Sequence, residues 1–395
     1  MKNKILTKTV LLLSWVSLFT DISSEMLYPV IPIFLASMHY SAAFIGTLEG
    51  IAEFIAGLSK GYFGLLSDKL QRRLPFVQTG YMLSALAKPL MILIPSGWWV
   101  LLTRTLDRFG KGIRTASRDA MLSAEATPET KGRVFGFHRS MDTLGAAIGP
   151  TIALVFLWLY PSQYKWLFFA ALIPGLVTFF FLFQLKEKRS KMVNSTQKVS
   201  FFSFFKYIKQ SPQSYRFLLV GLLTFALFNS SDMFLLLKAK ELQLTDTQTI
   251  ALYIGYNLAY ALLSLPAGIL ADKIGLNRVF LMGVIVFSLV YAGFAFASSL
   301  YMLIFLFTIY GFYAAATEGI AKAWISNLVE KNEVASAIGS YTALQSIAAL
   351  LASIFAGIIW TNFGSQITFL LTASISALVF VYFILINSKV QPLQK

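Results

Sequence analysis

Gly64-Leu65-Leu66-Ser67-Asp68-Lys69 and Gly268-Ile269-Leu270-Ala271-Asp272-Lys273 are two copies of one phrase, 204 residues apart in a chain of 395. Each closes a long apolar stretch, the second of the chain in one case and the eighth in the other. A second echo has nearly the same spacing, because Ser23-Ser24-Glu25-Met26 returns as Ser230-Ser231-Asp232-Met233, 207 residues on. Two matches at almost one offset divide the chain into related halves. They predict a bundle over residues 1–185, a linker over 186–216 and a second bundle over 217–395.

What those halves dissolve in follows from composition. Hydrophobic residues make up 57% of the chain, charged residues 13%, and the mean hydropathy is +0.68, a balance that a water-facing surface does not tolerate. The solvent is lipid. Crossing a bilayer takes about 20 apolar residues per helix, and twelve such stretches are present, six between Val10 and Leu185 and six between Phe217 and Ile386. A membrane barrel alternates apolar and polar residues, whereas these runs are continuous. The predicted fold is all-α and integral to the membrane, with twelve transmembrane helices in two pseudo-symmetric six-helix bundles.

The excess of 33 Lys and Arg over 18 Asp and Glu is positional and does not point to nucleic acid. Lys69, Arg72 and Arg73 share one loop, Lys131 and Arg133 another, Lys273 and Arg278 a third, and the linker holds eight basic residues against the single acid Glu187. The opposing loops at 38–41, 95–97, 298–300 and 361–364 have no Lys or Arg. The positive-inside rule then puts both termini and the linker in the cytoplasm of a multi-pass inner-membrane protein. Met1 to Phe19 imitates a signal peptide, but no small-x-small site follows, so it is expected to stay as the first span. In the linker, Phe201, Phe202, Phe204, Phe205, Tyr207 and Ile208 interleave with Lys206 and Lys209, a composition that suits a short interfacial helix on anionic lipid or a flexible tether. The chain has no cysteine and only His39 and His138, so neither a metal site nor a cofactor is expected, and no phosphate-binding loop occurs to feed it nucleotide energy.

Charge inside a bilayer is costly, which makes each buried ionisable residue a functional candidate. The first half has Asp21, Glu25, Glu49, Glu53, Lys88, Arg104, Asp107, Arg108, Lys111, Arg139 and Asp142 in its spans, and the second half mainly Asp232, Glu318 and Lys322. Asp21, Ser24, Glu25 and Tyr28 fall at i, i+3, i+4 and i+7, one polar stripe along a helix. Arg104, Arg108, Lys111, Thr115 and Arg118 form a comparable stripe, and Glu49 and Glu53 share a face. Such a cluster either takes up protons or braces the bundle through internal ion pairs. Bracing is expected of Lys88, Arg139 and Asp142; proton coupling is expected first of Asp21 and Glu25, with Glu49 and Glu53 as further candidates.

The run Gly64-x-Leu66-Ser67-Asp68-Lys69-x-x-Arg72-Arg73 resembles the signature loop of the major facilitator superfamily, with Gln71 where a third glycine usually stands; the second copy keeps Gly275 and has Asn277 and Arg278 in place of the basic pair. The resemblance implies a gate latch. In it Asp68 caps the start of a helix near Asn332 to Ala335 and pairs with an arginine of the fourth span; the gating set is Gly64, Asp68, Lys69, Arg72 and Arg73 with Gly268, Asp272, Lys273 and Arg278. Gly145-Ala146-Ala147-Ile148-Gly149-Pro150 is similar to the Gly-x-x-x-Gly-Pro motif that marks antiporters of this superfamily, and Gly145, Gly149 and Pro150 carry that likeness without the glycines that usually follow. The wider pattern resembles its prokaryotic efflux-permease branch. The first, fourth, seventh and tenth helices of that fold line a central cavity, which places Asp21, Glu25, Arg104, Asp107, Arg108, Lys111, Asp232 and Glu318 there. Tyr28 joins them as a substrate candidate, and Glu25 and Asp232 are expected to face each other. The implied protein is no enzyme. It is a monomeric secondary carrier of a small organic solute, expected as a proton-coupled exporter, with uptake of a polar or anionic solute through the Arg104, Arg108 and Lys111 cluster as the alternative.

Overall fold

The computed structural model describes residues 6–40, 42–160, 163–187, 200, 203–386 and 390. Met1 to Lys4, most of the linker's basic run, and Phe201 and Phe202 lie outside the described residues. Among the described residues there is no strand. The chain runs as α1 (Lys8–Leu27), α2 (Val30–Ser37), α3 (Ala42–Leu70), α4 (Leu74–Leu90), α5 (Gly97–Ala124), α6 (Lys131–Leu159), α7 (Tyr164–Ala170) and α8 (Leu172–Leu182). It continues as α9 (Ser203–Gln210), α10 (Gln213–Ala226), α11 (Met233–Glu241), α12 (Asp246–Ile274), α13 (Leu276–Ala295), α14 (Leu300–Asn327) and α15 (Val334–Ile386).

Local signals set the ends. Thr7 and Ser299 accept from the backbone N–H groups of Val10 and Met302, and Thr245 with Gln248 forms a capping box. Pro75 sits in the first turn of α4, where its missing N–H costs nothing. The 53-residue α15 is interrupted at Gly364, whose φ of 83° only glycine adopts freely. Both copies of the Ser-Ser-acid-Met echo mark an interruption: α1 gives way to α2 at Tyr28 and Pro29, and Asp232 is the N-cap of α11 after α10 has ended at Ala226.

Seven helices among the described residues are long and apolar enough to cross a membrane. The 29-residue α3 and 28-residue α5 match them in length but carry the deep charges. Large apolar and aromatic side chains stand outward, Trp98, Trp158, Trp166 and Tyr301 among them, as a lipid-facing surface requires.

The chain divides into two compact units. Unit 1 comprises residues 1–125, 141–210 and 331–343, and unit 2 comprises 126–140, 211–330 and 344–395. The core of unit 1 gathers Leu18, Ile22, Met26, Ile31, Phe34 and Phe168 around α1 and α2. That of unit 2 is aromatic: Phe225, Phe287, Tyr291, Tyr310 and Tyr313 stack edge to face and tilted. Linker helix α9 lies in unit 1, with Phe204 buried within about 3 Å of where a side chain on Gly61 would begin, and Phe205 exposed.

Candidate functional site

The two copies of the repeated phrase do the same thing to two different helices. In unit 1, Asp68 accepts from the backbone N–H of Ser336 at 2.7 Å and from its hydroxyl at 2.9 Å, at the first turn of α15. In unit 2, Asp272 accepts from the backbone N–H groups of Gly132 and Arg133 at 2.8 and 3.1 Å, at the first turn of α6. A carboxylate there satisfies orphan donors and meets the positive end of the helix dipole. Glycines make the approach possible. Gly64 lies against Ala335 and Gly339, Gly268 against Gly132 and Gly136, and a Cβ on any of the five glycines would meet backbone.

The arginine partner differs from the expected one. Asp68 pairs with Arg73 at 3.1 Å, five residues on, and not with an arginine of the fourth span. The reason is occupancy: Arg104, Arg108 and Arg118 on α5 face Glu49, Glu53 and Asp119, and Arg114 stacks over Tyr81. Arg73 also donates to the Lys331 carbonyl at 2.7 Å. The second copy follows suit, with Arg133 Nε donating to Asp272 at 2.6 Å. Gln71 takes up the left-handed backbone expected of the missing glycine, with φ 50°, and its amide donates to the Asp68 carbonyl at 2.5 Å. Lys69, Arg72, Lys273 and Arg278 have no side-chain hydrogen bond or ion pair among the described residues. Sequence reasoning missed Glu187, whose two oxygens accept from the N–H groups of Arg73 and Leu74 at 2.7 and 2.9 Å and so cap α4 from the linker. Asp68 lies beyond Leu66, where its apolar stretch ends; burial pushes its carboxyl up to about 6, against the lowering influence of Arg73 and Ser336.

The deep charges of unit 1 form a network across α3, α4 and α5. Arg104, 1% exposed, holds Glu49 through Nε at 2.9 Å and Nη2 at 3.1 Å, and Asp107 through Nη1 at 3.2 Å. Asp107 also accepts from the Ser84 hydroxyl and lies 3.3 Å from Lys88. Arg108 pairs with Glu53 at 3.0 Å, and Glu53 keeps half of its side chain exposed. Lys111 makes no ion pair among the described residues but lies within electrostatic reach of Asp21 and Glu53.

On α1, Glu25 is half-buried and Ser24 buried, while Tyr28, the C-cap of the helix, is exposed. Gly145 and Gly149 of α6 pack on the α1 backbone, at Leu18 and Ile22, closely enough that a Cβ would meet carbonyl oxygens at 2.6 and 2.7 Å; Pro150 follows them inside α6. In the second half the two acidic candidates have different partners. Asp232 accepts from the Tyr310 hydroxyl at 2.7 Å, and Glu318 is paired with Arg139, which also donates to the Tyr260 hydroxyl.

Comparison with known proteins agrees with this architecture. The model of the Major Facilitator Superfamily matches residues 13–239 and 233–395. An uncharacterised MFS-type transporter of Methanocaldococcus jannaschii is 37% identical over 371 residues, covering 92% of this chain and 91% of the relative. Among solved structures, the human organic anion transporter MFSD10 superposes with a TM-score of 0.81 at 14% identity, over 95% of this chain and 99% of the other. The fucose:proton symporter of E. coli gives 0.76 at 12%, over 95% and 98%. These last two likenesses are of fold. By the family match, the archaeal relative and the paired latches together, the chain belongs to the Major Facilitator Superfamily, a multi-pass membrane transporter and not an enzyme.

Proposed function

We propose that the protein is a proton-driven antiporter that expels a small organic solute from the cytoplasm by alternating access. The observation that carries this is a difference among carboxylates. Glu49, Glu53, Asp107 and Asp119 are each held by an arginine, whereas Asp21 and Glu25 on α1 make no ion pair with a basic residue among the described residues. Intramembrane acids without a fixed counter-ion are the ones that exchange protons with cargo or water. The Asp68 and Asp272 latches then serve as gate contacts on the cytoplasmic side, broken when that side opens. Export is favoured by the Gly145, Gly149 and Pro150 motif, and proton coupling is in keeping with the neighbour that is a fucose:proton symporter.

Tyr28, Lys111 and the Arg108–Glu53 pair are the unit 1 groups we assign to cargo; in unit 2 the assignment goes to Asp232 and Glu318. Uptake of an anionic solute is the second reading, favoured by the unpaired ammonium of Lys111 and by the neighbour that is an organic anion transporter. Proteoliposomes holding a pH indicator, challenged with a panel of organic cations, anions and zwitterions, separate the two. Opposed movement of proton and compound supports antiport; parallel movement supports symport.

A further inference from the structure

Asp142 was expected to be a brace. It is paired with Arg118 at 3.8 Å, and it also stands against Asp21: Asp142 accepts from Ser17, one helical turn before Asp21 on α1, and the Asp21 and Asp142 carboxyls lie within hydrogen-bond reach of each other. An ionised carboxylate only accepts, so a bond between two carboxyl groups exists only while one of them carries a proton. The contact is built into the packing. Gly145 presses α6 onto α1 so closely that the Asp21 Cβ would lie 3.0 Å from a Cβ at that position, and Asp142 is one helical turn before Gly145. A larger residue at 145 would hold the two helices, and the two acids, apart.

The surroundings fit one proton. Asp142 Oδ1 accepts from the Ser17 hydroxyl of α1 and lies 3.8 Å from Arg118 Nη1 of α5, and the same Nη1 donates to Ser17 at 3.2 Å. Arg118 is at the same time held by Asp119 at 2.9 and 3.0 Å. The other charged groups facing Asp21 are Lys111 from α5 and Glu25 from its own helix. Glu25 apart, the set of Asp21, Asp142, Asp119, Arg118 and Lys111 is neutral with one proton on the pair; loss of that proton adds one negative charge inside the membrane, where uncompensated charge is costly.

We infer that Asp21 and Asp142 together form a single-proton site, held at the α1–α6 contact by Gly145 and polarised by Ser17 and Arg118. This deepens the proton-coupled reading and rests on it for its role in transport. Proton binding itself requires no cargo. The site loads when the two carboxyls meet and discharges when α1 withdraws from α6, since separation leaves each carboxyl beside a cation, Lys111 or Arg118, that favours the ionised form.

The test is infrared difference titration of the carboxylic C=O stretch in detergent-solubilised protein, between about pH 5 and 9. The parent shows a protonated carboxyl band that both Asp21→Asn and Asp142→Asn abolish, and that Glu25→Gln leaves in place. Asp142→Glu, which retains an acid should Asp142→Asn fold poorly, keeps the band and moves its midpoint. A band unchanged in Asp142→Asn, or a midpoint unmoved in Asp142→Glu, overturns the shared site. These results are independent of transport. If the band behaves as expected but no compound moves protons in vesicles, proton-coupled export fails and the site stands; if proton flux is intact in Asp142→Asn with its band unchanged, only the site fails.

Discussion

The Asp68 carboxylate and the Ser336 backbone N–H, 268 residues apart, meet at 2.7 Å at the first turn of α15. Asp272 and the N–H of Gly132 repeat the arrangement at the first turn of α6, 2.8 Å apart. One phrase, copied along the chain, thus closes two helix starts. Asp68→Asn and Asp272→Asn are each expected to weaken closure by about 1 to 3 kcal/mol, a typical coupling energy, which speeds exchange of the amides concerned roughly 5- to 150-fold. Hydrogen–deuterium exchange read by mass spectrometry, at the segments containing Ser336 and Gly132, measures this. Unchanged protection in both variants removes the latch from the account.

The latch should also respond to pH. Burial holds the closed Asp68 carboxyl at about 6, and opening returns it to the ordinary value of about 3.9. The closed form therefore binds the proton more tightly, so closure gains as pH falls through about 6 and is weakest, and constant, well above it. Protection of the Ser336 amide, corrected for intrinsic exchange, is expected to be higher at about pH 5 than at about pH 7.5 and to lose this dependence in Asp68→Asn. A flat profile in the parent contradicts the assignment.

Arg104 is a test of bracing against cargo binding. Its guanidinium holds Glu49 and Asp107 at once, so Arg104→Ala leaves the part-buried Glu49 without its counter-ion and the buried Asp107 with Lys88 alone, at a cost of about 3 to 5 kcal/mol. A thermal melt should show the loss, Arg104→Lys should retain part of the stability, and adding Glu49→Gln to Arg104→Ala should restore some of it. Unaltered melting with loss of cargo binding alone would make Arg104 a ligand of the cargo.

At position 71 the backbone prefers glycine. Gln71 adopts φ 50° and offsets the strain with its bond to the Asp68 carbonyl. Relief of left-handed strain, about 1 kcal/mol, roughly matches the net worth of one hydrogen bond. Gln71→Gly is therefore expected to leave the melting temperature nearly unchanged, whereas Gln71→Val, with a β-branched side chain and no amide, should lower it. Equal melting of all three proteins would show that the position carries no strain.

The parts of this architecture that were legible in the sequence are those written as pattern, the apolar stretches and the internal repeat; the acid that caps a distant helix, which the family resemblance implied near Asn332 to Ala335, is found on Ser336. Partner choice was not legible. Arg73 and not a fourth-span arginine meets Asp68, because Arg104 and Arg108 are taken by Glu49 and Glu53 of α3, Arg118 by its neighbour Asp119, and Arg114 lies over Tyr81, and the cross-helix pairs share no spacing rule. The same holds for Glu187 over α4 and for Asp142 beside Asp21, both of which depend on how helices pack and not on their periodicity. Of the stripe of Asp21, Ser24, Glu25 and Tyr28, Ser24 is buried while Tyr28, the C-cap where α1 ends, is exposed.

Proton movement against cargo movement in proteoliposomes tests the central claim most directly. With a pH indicator enclosed and no imposed gradient, addition of a transported compound to one side should drive protons toward that side, and Asp21→Asn should abolish the proton signal while Asp232→Asn retains it at a raised apparent substrate constant. Protons travelling with the compound, or a proton signal that survives Asp21→Asn and disappears in Asp232→Asn, would contradict it.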